Sequence, residues 1–349
     1  MKKIFHKMLF LPLLHITIVV AVVQCASIAS KSTVTVKRPK GFGSAKRAII
    51  IGVDGLGGVH LRNVTNKYSS FKSFFNFGSF TTRARGVYPT SSGPNWSSFV
   101  TGLDVFGHGV LSNDWMEENG DPLDDVSYSI PPVTGRGRPS TIFTQVKRKD
   151  SRLKTAMMFT WSWLRNYAIN NSDIDAWHWG GEGITCAPND VVDCYDRKDW
   201  YTMLAVTKNL AKDPVLTLIH LDAVDLAGHR SCWGCPLYYK AMRTVNNKIL
   251  FLLNALKRMK DSSGKIMLDD TLIVIVSDHG GWRNSHSYSK PIIANVDIPI
   301  LFRGPGVLKN NSLENIYVSN VDVAATVLNA IAVEKSEFMP GKVLEQIYQ

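Results

Sequence analysis

"RAIIIGVDG", residues 47 to 55, is an apolar run that closes on an acid and a glycine. A short run of this kind, with no polar alternation, reads as a strand buried on both faces with Asp54 at its carboxyl end. Two later segments repeat the design. "DPVLTLIHLDAVD", 213 to 225, and "DDTLIVIVSDHGG", 269 to 281, each deliver Asp or His at the end of a β-rich apolar stretch. Between them, "YYKAMRTVNNKILFLLNALKRMK" places Met242, Val245, Ile249, Leu252 and Leu256 at helical spacing. Strand, helix and strand in that order predict an α/β fold: a mostly parallel central sheet with helices on both faces. Ligands of such sheets bind beyond the carboxyl ends of the strands, so the acids would meet at one edge.

Outward from this core the chain divides unevenly. MKKIFHK carries three lysines and no acid, and MLFLPLLHITIVVAVV then runs apolar for sixteen residues before the small residues of QCASIAS. That order predicts a signal peptide over 1–26 and a secreted product; the alternative is a signal anchor. Pro12 and His15 interrupt a run already shorter than the ~20 residues of a spanning helix, so no stable membrane anchor is expected. Residues 27–46 read as a flexible segment and 47–349 as one catalytic domain. Within it, 114–200 loses periodicity and gathers Trp115, Trp161, Trp163, Trp177, Trp179 and Trp200, the mark of a cap or insertion over the sheet edge. These rings either line a pocket or fill core.

An exported chain left with Cys186, Cys194, Cys232 and Cys235 points to two disulfides. The sequence-local pairing, 186 with 194 and 232 with 235, is expected; the rival is a four-thiolate zinc site, which the C-x7-C spacing suits poorly. Asn63, Asn170 and Asn310 begin glycosylation triplets, as does Asn95. The net charge of +11 favours anionic ligands. No basic run exceeds a few residues, so specific nucleic-acid binding is not expected.

Asp54, Asp225, Asp278, His229, His279 and His286 together form two sets of oxygen and nitrogen donors, enough for two zinc-like ions. Asp225 and His229 share a face if a helical turn begins there. A nucleophile is offered by "YPTSSGPNWSSFVTG", 88 to 102, which crowds six hydroxyls around a Gly-Pro step. Pro94 suits the first turn of a helix, whose free N–H groups and dipole would face an incoming phosphate. A bound divalent ion favours the alkoxide of a serine there.

Taken in order, Asp54, "YPTSSGPNWSSFVTGLDVFGHG", "DLAGH", "SDHGG" and "PILFRGPGV" resemble the alkaline phosphatase superfamily, and within it the type I phosphodiesterase/nucleotide pyrophosphatase family. The resemblance spans about 47 to 342. It implies a secreted phosphodiesterase or pyrophosphatase with Ser92 as nucleophile through a phosphoryl-serine intermediate. It also implies Asn95 as the residue that steadies a phosphoryl oxygen, and therefore unglycosylated. Asp54, Ser92, Asp278 and His279 would hold one zinc and Asp225, His229 and His286 the other. The substrate implied is a small phosphate ester, either a nucleotide or a lipid-like diester.

The departures are Gly93 where relatives often carry a base-stacking aromatic, Trp96 where a His is expected, and a last metal histidine, His286, that follows unusually closely. A phosphomonoesterase of the same superfamily is the near alternative and would want Arg83, Arg85 or Arg283 over the terminal oxygens. A sulfatase would need an Arg that Ser92-Gly93-Pro94-Asn95-Trp96 lacks. A catalytically inactive binding protein would show a missing ligand, and none is missing.

Overall fold

β1, Arg47–Val53, is buried along its whole length and pairs in parallel with strands on both sides. The computed structural model describes residues 38–115, 139–287 and 292–349. The first part of the chain runs β1, α1 (Gly58–Arg62), α2 (Ser69–Phe77), β2 (Ser79–Arg85), α3 (Ser92–Thr101), α4 (Val105–His108) and α5 (Ile142–Lys149). There follow β3 (Thr155–Phe159), α6 (Arg165–Ala168), β4 (Ala176–Trp179), α7 (Val191–Leu210), β5 (Leu216–Leu221), α8 (Ala223–Arg230) and α9 (Pro236–Arg258). The last part holds β6 (Thr271–Val276), α10 (Ile293–Val296), β7 (Asp297–Arg303), β8 (Asn311–Ser312) and α11 (Val321–Ala330).

The eight strands form one sheet in the order β4-β3-β5-β1-β6-β7-β2-β8. From β4 to β6 every pairing is parallel. β7 then runs antiparallel to both β6 and β2. Each parallel step crosses over through a helix, and the side chains of β1 show where those helices lie. Ile49, Ile51 and Val53 point into one core, shared with Phe71, Met203 and the α9 stripe Met242, Val245, Ile249, Leu252 and Leu256. Ala48 and Ile50 point into the other, shared with Trp96, Phe99, Phe143 and Ala324. Two-sided burial is why β1 carries no polar alternation, and each fully buried aliphatic side chain contributes about 1.5–3 kcal/mol.

Two boundaries differ from the sequence expectation. Where it is described, the stretch 114–200 is in part sheet: β3 and β4 extend the parallel layer beyond β5, so these strands build one flank of the domain. Short strands broken by Trp and His left no clear period to read. Of its tryptophans, Trp115 and Trp163 are buried in the core with Tyr167, while Trp177 is exposed. Residues 38–46, expected to be flexible, are docked: Gly43 and Ala45 donate N–H groups to the carbonyls of Asn329 and Ala330, and Lys46 to Asp270. Their backbone hydrogen bonds, invisible in composition, order them.

Cys186 is bonded to Cys194 and Cys232 to Cys235, so no four-thiolate zinc site exists. Among the described residues no helix is long and apolar enough to cross a membrane. The proposed leader, 1–26, lies outside the described residues.

Candidate active site

The strand order decides where the polar residues meet. β1 lies between β5 and β6, so the residues that follow these three strands share one edge. Asp54 follows β1 directly, and its N–H is held by the carbonyl of Leu221 at the end of β5. Asp278 follows β6, and its Oδ1 accepts the N–H of Gly55 at 3.1 Å. Gly55 sits at φ 67°, and a Cβ there would stand 2.7 Å from the Cα of Asp225, so the close approach of the two segments needs glycine. Asp225 itself is not at a strand end. It lies in the first turn of α8, one turn before His229, and the two side chains approach to 3.4 Å.

These placements bring the predicted donors into two groups, Asp54 with Asp278 and His279, and Asp225 with His229 and His286. His279 Nε2 is 3.2 Å from Asp278 Oδ2 and 3.6 Å from Asp54 Oδ1. The groups adjoin, since the rings of His279 and His286 stack at 3.7 Å. Both test as cation sites on two independent features. Asp54 Oδ1, Asp225 Oδ1 and Asp278 Oδ2 are buried with no hydrogen-bond partner, an arrangement that costs free energy unless a cation completes it. The Nδ1 atoms of His229, His279 and His286 lie 3.0, 2.9 and 2.6 Å from the carbonyl oxygens of Asn284, Gly280 and Thr90. A carbonyl only accepts, so each Nδ1 carries the proton and each Nε2 presents a lone pair.

Burial first, then mutual repulsion of the carboxylates, pushes Asp54 and Asp225 well above the usual carboxylate range. Burial raises Asp278 as well. It drives His279 and His286 down to about 3.

Ser92 is the first residue of α3, after Ser91 at the N-cap, and its Oγ is 3.2 Å from His279 Nε2. Four of the other five hydroxyls of the stretch are committed elsewhere. Thr90 donates to the His286 carbonyl, while Ser97, Ser98 and Thr101 donate back one turn within the helix.

Asn95 stands apart from the role that the resemblance implied. Its Oδ1 accepts from Val87 N–H and Asn320, and its Nδ2 is spent on the carbonyls of Val87, Pro89 and Ser91. It clamps the loop before α3 and has no group left for a ligand; being fully buried, it is also closed to glycosylation. The amide at the helix mouth belongs to Asn113, exposed, with Oδ1 accepting Gly93 N–H at 2.7 Å. Only the fold reveals it, because Asn113 reaches α3 through the turn after α4.

Other supporting residues were equally illegible. Asp199 on α7 accepts the N–H groups of Asp222 and Ala223, at 2.9 and 3.2 Å, and so caps α8 from outside. Burial lifts Asp199 to about 6. Asp199→Ala leaves two buried donors unpaired at the start of the helix that carries Asp225 and His229. The expected loss is about 1–3 kcal/mol in urea unfolding, with weaker uptake of one zinc equivalent.

Residues 48–329 match the family described as type I phosphodiesterase / nucleotide pyrophosphatase. The chain is 24% identical over 288 residues to ectonucleotide pyrophosphatase/phosphodiesterase family member 1 of Rattus norvegicus, covering 78% of this chain and 28% of the relative. It is 23% identical over 250 residues to member 5 of Homo sapiens, covering 67% of this chain and 45% of the relative. This chain thus spans less than half the length of either. Among solved structures, an inactive form of murine ectonucleotide pyrophosphatase/phosphodiesterase 5 in complex with AMP shares the fold. Its TM-score is 0.65 at 14% identity, with 87% of this chain and all of that one covered. The chain belongs to the type I phosphodiesterase/nucleotide pyrophosphatase family, on an alkaline phosphatase-like fold.

Proposed function

We propose that this chain is an exported hydrolase that cleaves phosphodiester or pyrophosphate bonds with Ser92 as nucleophile. The observation that carries the reading is the set of three partnerless carboxylate oxygens and three Nε2 lone pairs, with the Ser92 hydroxyl 3.2 Å from one of them, on His279. Asp54, Asp278 and His279, with Ser92, would hold one divalent cation, and Asp225, His229 and His286 the other; the mixed nitrogen and oxygen donors suit zinc. Such ions, when bound, favour the serine alkoxide and offset charge on the phosphoryl oxygens.

The chain's own groups do the rest. The start of α3 points its helix dipole at the phosphoryl group and offers N–H groups. Asn113 holds the first turn in place. Ser92 Oγ attacks phosphorus in line, forming a Ser–O–P bond as the bond to the leaving alcohol or phosphate breaks, and water then hydrolyses the phosphoryl-serine.

Arg85 is paired with Asp297, which removes one of the three cations that a monoester reading would draw on. Gly93 supplies no stacking ring for a base. A Cβ there would stand 3.1 Å from both Asn113 Oδ1 and the Trp163 ring, which fill the place of a side chain. Both nucleotide and lipid-like diesters are therefore suitable substrates. Export accords with two disulfides and with exposed positions at Asn63, Asn170 and Asn310.

The test is a rate comparison on zinc-loaded protein between bis(p-nitrophenyl) phosphate and p-nitrophenyl phosphate. A higher kcat/KM for the diester is expected; the reverse order would make the protein a phosphomonoesterase, and no turnover of either would return it to the binding proteins.

A further inference from the structure

Asp54 is held asymmetrically. Its Oδ2 accepts Trp96 Nε1–H at 2.8 Å and lies 3.0 Å from His220 Nε2, while Oδ1 faces His279 with no hydrogen-bond partner. His220 Nδ1 is buried and also has no partner, so the hydrogen-bond network assigns the ring proton to Nε2, where it is donated to Asp54. One oxygen of the carboxylate is thus fixed by two N–H donors and the other is presented to the donor group. All three side chains are almost completely buried, which excludes water as a substitute donor.

The neighbouring sequence is cut to fit this arrangement. Gly52 is the one residue of β1's apolar run without a side chain, and it pairs with His220 across the sheet. A Cβ on Gly52 would stand 2.4 Å from the Trp96 ring. The indole lies over Gly52 and meets His220 edge-on at 4.7 Å. A small residue in the strand, a tryptophan on the helix and a histidine on the next strand therefore act as one unit whose polar end is Asp54.

We propose that Trp96 and His220 are positioning residues that keep Asp54 presenting Oδ1 alone to the first cation, an inference that rests on the two-cation reading above. Without the indole N–H, Oδ2 keeps a single donor, and the carboxylate is free to turn. Removal of such an outer partner costs about 10–100-fold in metal affinity.

The decisive experiment is competitive zinc titration of the full protein against a chromophoric chelator, for wild type, Trp96→Phe and Phe99→Leu. Phe99 packs beside Trp96 at 5.4 Å and gives a comparable packing loss without touching Asp54. Two zinc equivalents are expected for wild type. In Trp96→Phe one equivalent weakens about 10–100-fold, the loss persists when His229→Ala has impaired the other group, and excess zinc restores kcat. Phe99→Leu keeps both affinities. Equal weakening in Phe99→Leu, or unchanged affinity in Trp96→Phe, would overturn the positioning role and leave the proposed function standing. A wild-type protein that binds no zinc would instead remove the function reading, and this inference with it.

Discussion

Ser92→Ala is expected to lower turnover of an aryl diester by at least about ten-thousandfold, the scale on which an enzyme loses rate when its nucleophile goes and its binding groups stay. The expectation rests on the allotment of hydroxyls around α3. Thr90, Ser97, Ser98 and Thr101 each donate to a backbone carbonyl, and none of these can be released without breaking the local fold. Ser92 Oγ alone faces His279 and the carboxylate groups. None of these four hydroxyls can therefore take over. Two measurements belong together: acid-quenched phosphoryl-enzyme, present in wild type and absent in the variant, and zinc content, close to wild type for the ions that the Asp and His side chains retain. Wild-type turnover in the variant would remove Ser92 from the chemistry.

Stripping the cations is expected to produce the second large effect, and one whose size depends on pH. In the cation-free protein, burial holds Asp54, Asp225 and Asp278 above their ordinary range, so they stay protonated to higher pH than free carboxylic acids do. A raised carboxyl favours the folded state fully below its unfolded pKa, near 4, and that contribution fades as pH rises through the folded value. His279 and His286, lowered to about 3, run the other way: their contribution is complete above about 6.5 and is lost as pH falls toward 3. The carboxyl groups, raised by burial, give up their protons at higher pH than free acids do, so zinc competes with those protons over a window displaced upward. Zinc should then bind with proton release, read as a dependence of calorimetric heat on buffer ionisation enthalpy, and should bind more tightly at pH 8 than at pH 5.5. A site held about a thousandfold above its dissociation constant adds about 4 kcal/mol to stability. The zinc-dependent rise in Tm should accordingly be larger at pH 8. An equal rise at both values would contradict carboxyl groups whose proton affinity is raised by burial.

Much of this site was legible in the chain because Asp54, Asp278 and His279 lie directly behind buried strands. "RAIIIGVDG" and "DDTLIVIVSDHGG" declare themselves through uninterrupted apolar runs, and an acid at the end of such a run has few places to go but the sheet edge. What stayed hidden was of two kinds. Asn113, Asp199 and His220 act through contacts between segments far apart in sequence, and no local pattern encodes the crossing that brings His220 beside Gly52. Asn95 misled for the opposite reason: its place in a motif suggested a ligand, whereas five hydrogen bonds to Val87, Pro89, Ser91 and Asn320 claim both ends of its amide. β3 and β4 were missed because strands of only five and four residues are too short to show either period.

Because β1 takes its partners from so far downstream, with β5 and β6 closing on its two flanks, the candidate site is a product of the finished topology. Cations held there would be late guests, unable to template the chain's collapse and acting chiefly by slowing its escape from the native state. Resistance to unfolding and catalytic competence are thus conferred together, at the last step of assembly.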